Sequence, residues 1–210
     1  MRSNVINPKK RQVREMMLIK NYEKLTGNSK LATDEYFMTM CNEVTAGDEN
    51  GEYAQLLAGF LQSHQYMGFD TNKKFINKAK IMFPGSIFEK NRIEVAPKLA
   101  NERKHKIGLA NLDTCSYPMT GIDMAKEFID NLDKQTPIIV LTTLMTHTRW
   151  KGRTGGNGLT KPQDMSPQET FAWMVNYFNG YAGWQFENEF LCYISPVGNT
   201  KMIVVTLRKK

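Results

Sequence analysis

A chain of 210 residues with a hydrophobic share of 41% and a charged share of 23% can bury a full core and is neither disordered nor fibrous, and one domain is the default. No apolar run approaches the roughly 20 residues needed to span a bilayer, and the amino terminus, with Asn4, Asn7 and Pro8 beside a basic cluster, lacks the apolar centre of a signal peptide. The expectation is a soluble intracellular, cytoplasmic protein with no membrane partner, and its formal net charge of +7 favours contact with a polyanion or simply keeps it soluble.

Cys41, Cys115 and Cys192 are odd in number and far apart, and His64, His105 and His147 are equally scattered. Neither set has the paired spacing of a zinc site or a disulfide framework. The sequence therefore implies no metal, and its thiols read as buried or incidental.

In chain order, Lys9, Lys10, Arg11 and Arg14 lead into MMLIKNYEKL, a predicted helix with Met17, Tyr22 and Leu25 partly buried that ends at Gly27. Too few apolar residues lie there for a second core, so the division is a basic N-terminal arm or helix over 1–35 and a single domain over 36–210. The run from Tyr36 to Glu43 suits a strand, although MTMCNEV could also continue a helix. A turn bearing Gly47, Asp48 and Gly51 follows, then Tyr53, Leu56, Leu57 and Phe60 at the spacing of one buried helix face.

Tyr66 to Asp70 reads as a short buried strand, and the next helix turns Phe75, Ile76 and Ala79 inward and Lys73, Lys74, Lys78 and Lys80 to water. Ile81 to Phe88 is broken by Pro84 and Gly85 and is either a short bent strand or a loop. Segment 94–106 is polar and helical in part. Ile107 to Leu112 forms a strand ending at Asp113, followed by a loop to Gly121 and a helix with Ile122, Ala125, Ile129 and Leu132 on one face.

Pro137 opens IIVLTTLM, whose continuous β-branched and apolar character suits a central parallel strand covered on both faces. The chain then becomes polar and glycine-rich from Thr146 to Gln163. Ser166, Pro167 and Glu169 start a helix with a hydroxyl cap, a first-turn proline and a capping-box glutamate. FLCYIS and KMIVVTLRKK are strands joined through Gly198 and Asn199, a hairpin cue.

Strand and helix thus alternate about five times before an antiparallel hairpin, which implies an α/β fold with a mostly parallel, doubly wound sheet and helices on both faces. Ligands of such sheets bind outside the carboxyl ends of the strands. That rule collects the Gly47 turn, Asp70, the Ser86 region, Asp113 and the loop after Met145 on one rim. An acid at the end of a buried strand is where nucleotide-type folds grip a ribose, because vicinal hydroxyls offer two donors to one carboxylate. Asp70 would serve equally well as a helix N-cap.

The YMGFDTNKKFINKAK unit and the closing FLCYISPVGNTKMIVVTLRKK resemble the Rossmann-like (class I) S-adenosylmethionine-dependent methyltransferases over residues 36–210. The resemblance implies a seven-stranded sheet whose last two strands form a reversed hairpin, and S-adenosylmethionine as cofactor. By that likeness Asp70 accepts the ribose hydroxyls and Thr71 and Asn72 line the adenosine. Gly47, Asp48 and Gly51 approach the methionine portion, and Ser86 and Ile87 sit beside the adenine.

DTCSY, Asp113 to Tyr117, falls where nucleic-acid amino-methyltransferases keep an acid or amide, two prolines and an aromatic. Thr114 and Cys115 stand in place of the prolines, and Ser116 intervenes before the aromatic. Asp113 and Tyr117 are the catalytic candidates, one accepting protons from the amine and the other stacking on the target base.

Two functions from different classes remain. The first is methyl transfer to a nucleic acid, with Arg149, Trp150, Lys151 and Arg153 binding the acceptor, since an aromatic among cations suits stacking plus phosphate contact. The second is a catalytically inactive methyltransferase-like scaffold that contacts nucleic acid or a protein complex, for which the three-residue gap between Gly47 and Gly51 and the polar Asn42 to Thr45 segment speak. No GxGxxG follows a strand, which disfavours a dehydrogenase.

Overall fold

The computed structural model describes residues 12–41, 57–114, 116–145, 166–194 and 200–210. The turn with Gly47, Asp48 and Gly51, the thiol Cys115, and Arg149, Trp150, Lys151 and Arg153 lie outside the described residues. In chain order the elements begin with α1, a helix that is π-helical over Glu15–Lys20 and α-helical over Asn21–Thr26. There follow β1 (Glu35–Met40), β2 (Tyr66–Asp70), α2 (Lys73–Met82), β3 (Ile87–Lys90), α3 (Ala96–Glu102) and β4 (Lys106–Asp113). The last elements are α4 (Pro118–Asp130), β5 (Ile138–Leu144), α5 (Pro167–Phe178), β6 (Trp184–Ile194) and β7 (Lys201–Lys209).

The strands form one seven-stranded sheet in the order β3-β2-β1-β4-β5-β7-β6. β1 to β5 run parallel, and β7 inserts antiparallel between β5 and β6. The order reverses between β1 and β4, the switch point beside which ligands of open α/β sheets bind.

Side chains alternate between two apolar layers because the side-chain period of a strand is two. On one face Met38, Ala110, Leu112, Ile139 and Val205 pack under α3, α4 and α5, with Ala100, Phe128 and Met174 from those helices. On the other, Phe37, Leu109, Val140 and Val204 meet Val13, Met17, Leu18 and Tyr22 of the N-terminal helix and Ile76 and Ala79 of α2. The described part of the basic N-terminal segment is thus a wall of the core. Its Asn21 side chain donates to Thr206 Oγ1 of β7 at 2.6 Å, and the Asn21 N–H reaches back five residues to the Met16 carbonyl, which closes the π stretch.

Local chemistry sets the boundaries. Asn72 caps α2 by accepting from the Lys74 N–H at 3.0 Å, and Ser166 and Glu169 close the capping box of α5. The segment that sequence left as strand or loop divides: α2 runs on to Met82, and Gly85, at φ +90°, turns the chain so that β3 starts only at Ile87. Segment 94–106 holds a single turn of 3-10 helix, then α3, and enters β4.

Candidate active site

Parallel register brings selected residues to one rim. Asp70 pairs with Lys90, and Asp113 pairs with Thr142, so the ends of β2, β3, β4 and β5 open on the same side. At the end of β2, partly exposed Asp70 accepts the Asn72 N–H on Oδ1 at 2.8 Å. Its carbonyl takes the Asn91 N–H at 3.1 Å. Asn91 Oδ1 accepts the Arg92 N–H at 2.9 Å, so the turn after β3 is locked beside the turn after β2. The capping role that Asp70 could have filled falls to Asn72, and Thr71 and Asn72 are exposed beside it.

Ser86 and Ile87, expected beside the adenine, lie at the start of β3. Ile87 pairs with Met67, three residues before Asp70 and therefore about 10 Å back along the strand direction. Ser86 donates instead to the Ser63 carbonyl at the amino ends of the strands. The Pro84 and Gly85 turn delays the strand by enough to move the rim position to Asn91. Sequence reasoning passed over Asn91, and the signal was the short IFEK run before an Asn-Arg pair.

Asp113 is enclosed at the end of β4. Its side chain is 2% exposed and lies 3.7 Å from Arg14 Nη2, because α1 crosses the carboxyl end of β4 and covers it. Val13, Arg14, Asn111, Asp113 and Thr142 line the narrow cleft between α1 and the sheet. A carboxylate sealed there and paired with a guanidinium anchors α1. Thr39, Asn111, Asp113, Thr142 and Thr206 are all buried, and Thr39 Oγ1 has no hydrogen-bond partner among the described residues. That orphan hydroxyl sits in the last turn of β1, between Gly68 and Asn111.

The loop after Asp113 is held by hydroxyls. Thr114 donates both its N–H (3.1 Å) and its Oγ1 (3.0 Å) to the Thr142 carbonyl, and Ser116 Oγ donates to Thr114 Oγ1 at 2.7 Å. Tyr117 caps α4, accepting the Gly121 N–H on its carbonyl at 2.8 Å, and its side chain is partly exposed at the rim. The Ser116 carbonyl accepts the Leu144 N–H at 2.8 Å, tying the loop to the end of β5. Thr114 and Ser116 thus do in hydrogen bonds what a rigid proline pair would do through fixed dihedrals.

Among the described residues no group of three or more His, Cys, Asp or Glu side chains could hold a metal ion, and no helix is long and apolar enough to cross a membrane.

The strand order, the reversed terminal hairpin and the acid at the end of β2 define a class I, Rossmann-like methyltransferase fold. Compared by sequence, the chain matches no family model and no curated protein. Compared by structure, it is similar to a fibrillarin/Nop5p complex at 13% identity and TM-score 0.56, over 95% of this chain and 81% of that one. It is also similar to the plantazolicin methyltransferase BamL in complex with a triazolic desmethylPZN analog and SAH, at 11% identity and TM-score 0.55, over 97% and 86%. A third is a fibrillarin of Methanococcus jannaschii described as a pre-rRNA processing protein, at 12% identity and TM-score 0.50, over 86% and 71%. At these identities the likeness is one of fold.

Proposed function

We propose that this protein is an S-adenosylmethionine-dependent methyltransferase acting on a nucleic acid. The observation that carries the reading is Asp70, a partly exposed carboxylate at the end of β2 beside the switch point, braced by Asn72 and adjoined by Asn91. Its chemistry fits the cofactor: one carboxylate can accept both ribose hydroxyls, and the Asn91 amide nitrogen, its oxygen already engaged by Arg92, can donate to a ring nitrogen of adenine.

When bound, the cofactor supplies a methyl group on an electrophilic sulfonium. The chain itself has to hold donor and acceptor in line and exclude water. Tyr117, at the rim after β4, offers a face on which a base can stack, while Asp113 and Arg14 hold α1 over the same strand end. The likeness to a fibrillarin described as a pre-rRNA processing protein supports a nucleic-acid acceptor, as does the net charge of +7. Arg149, Trp150, Lys151 and Arg153 stay with this proposal as acceptor contacts, and Gly47, Asp48 and Gly51 as cofactor contacts.

The test is calorimetric titration of S-adenosylmethionine and S-adenosylhomocysteine into the protein and into Asp70→Ala. Binding that the substitution abolishes is the expected result. No binding of either ligand to the folded protein would sink the reading.

A further inference from the structure

The sheet face under α1 changes chemistry along its strands. From the amino to the carboxyl end that face carries Leu109, Asn111 and Asp113 on β4 and Ile138, Val140 and Thr142 on β5, so it turns polar where α1 crosses it. The opposite face of the same two strands stays apolar through Ala110, Leu112, Ile139 and Leu141. Keeping polar side chains from water costs free energy that apolar ones do not, so a helix that never left this end would favour an apolar floor. The cover is also incomplete. A narrow cleft lined by Val13, Arg14, Asn111, Asp113 and Thr142 runs between α1 and the sheet.

α1 is held unevenly along its length. From Met17 onward it is pinned by the packing of Met17, Leu18 and Tyr22, by the Asn21 bond to Thr206 at 2.6 Å, and by the Tyr22 hydroxyl, which donates to Glu35 Oε2 at 3.0 Å. Residues 12–14 bring one apolar side chain, Val13, to the core and one ion pair, Arg14 with Asp113 at 3.7 Å. The π stretch begins at Glu15, directly after that pair. A π insertion interrupts the regular α-helical ladder, and such insertions cluster at functional positions.

We infer that residues 12–14 are a lid, latched by Arg14 and Asp113, that controls access to the carboxylate at the end of β4. On the methyltransferase reading what the lid admits is the methyl acceptor, and the motion itself does not depend on that reading. Closed, the lid leaves the Asp113 side chain 2% exposed. Opening turns about the π stretch, lifts Val13 and Arg14, and wets Asn111, Asp113 and Thr142, while Asn21 and Tyr22 keep the rest of α1 in place. The two charges of the latch regain their hydration when they part, so the pair holds less firmly than its attraction alone would make it.

The experiment places a thiol under the lid, T142C, and follows its alkylation by iodoacetamide in the folded full chain at about pH 8, read by peptide mapping with Cys41 as internal reference. Each rate is divided by that of the same thiol in the unfolded chain. V204C, at another residue lining the cleft, is the second reporter if T142C does not fold. The reporter thiol should react at least about tenfold faster than Cys41 and almost independently of urea below the unfolding transition, because a lid exposes little surface. Cys41 should follow global unfolding and rise steeply with urea. R14Q should speed the reporter at least about a further tenfold, since it strands the Asp113 charge in the closed state. G68A, which loosens β2 and not the lid, should speed Cys41 and leave the reporter unchanged.

Neither S-adenosylmethionine nor an acceptor enters the measurement, so a failed cofactor site and a failed lid are read separately. The inference is overturned if the reporter and Cys41 react at one rate with one urea dependence, if G68A speeds both alike, or if R14Q leaves the reporter unchanged.

Discussion

Arg14 and Asp113 stand 3.7 Å apart with side chains 15% and 2% exposed, joining the N-terminal helix to the end of the fourth strand. A buried pair gains little over an apolar pair of the same shape, but removing one partner strands the other charge. Arg14→Ala should therefore cost about 3 kcal/mol of unfolding free energy, measured by urea denaturation. The double variant R14M/D113N should cost less than either single substitution. If the single losses simply add, the two side chains do not interact.

Gly68 of β2 packs closely against an aromatic ring. A Cβ there would lie 2.5 Å from Phe88 Cδ1 and 3.2 Å from Cys41 Sγ, and both neighbours are buried. Gly68→Ala should lower stability by about 1–3 kcal/mol through overpacking, visible as a lower melting temperature. Adding Phe88→Leu should restore part of it by freeing the ring volume. An unchanged melting temperature in Gly68→Ala would contradict this packing.

The start of α5 gives a pH-dependent prediction. Glu169 is held below the ordinary carboxyl range, first by the Ser166 N–H and then by the Ser166 hydroxyl. A depressed carboxyl contributes stability that is present above its unfolded value of about 4.3 and is lost as pH falls through the lower folded value. The melting temperature of the protein should exceed that of Glu169→Gln at neutral pH, and the two should converge in acid below that folded value. Ser166→Ala should cost about 1 kcal/mol at neutral pH. A gap that widens on acidification would reverse the assignment.

Burial pushes the Cys41 thiol up to about 12, with the nearby Asp70 carboxylate adding to the shift, and the Cys192 thiol up to about 11. The thiolate is the reactive form, so neither should react appreciably with iodoacetamide at about pH 8 in the folded state. Peptide mapping should find both carbamidomethylated only after unfolding. Rapid labelling of Cys41 in the native protein would show that the end of β1 opens.

Features written within a few residues were legible before folding. The Ser166 and Glu169 box, the inward stripe of Ile122, Ala125 and Ile129, and the continuous apolar run of β5 each rest on contacts inside a single element. Alternation of strand and helix was equally plain, and with it the rim on which Asp70 lies. The weakest of these signals was β1, because MTMC suits either period; it became a strand only between β2 and β4.

The sequence by itself determined the alternation of strand and helix and the kind of the elements with clear caps and periods, since helix caps, turns and side-chain periods act over short stretches of chain. Tertiary structure decided which residues meet at the site. The register of β3 against β2 gave the place of Ser86 to Asn91, and packing of α1 across the sheet brought Arg14 against Asp113. Arg14 and Asp113 are separated by nearly half the chain. Their meeting depends on the crossovers that set strand order and on the apolar face that draws α1 onto the sheet, and neither is encoded in the few residues around either side chain.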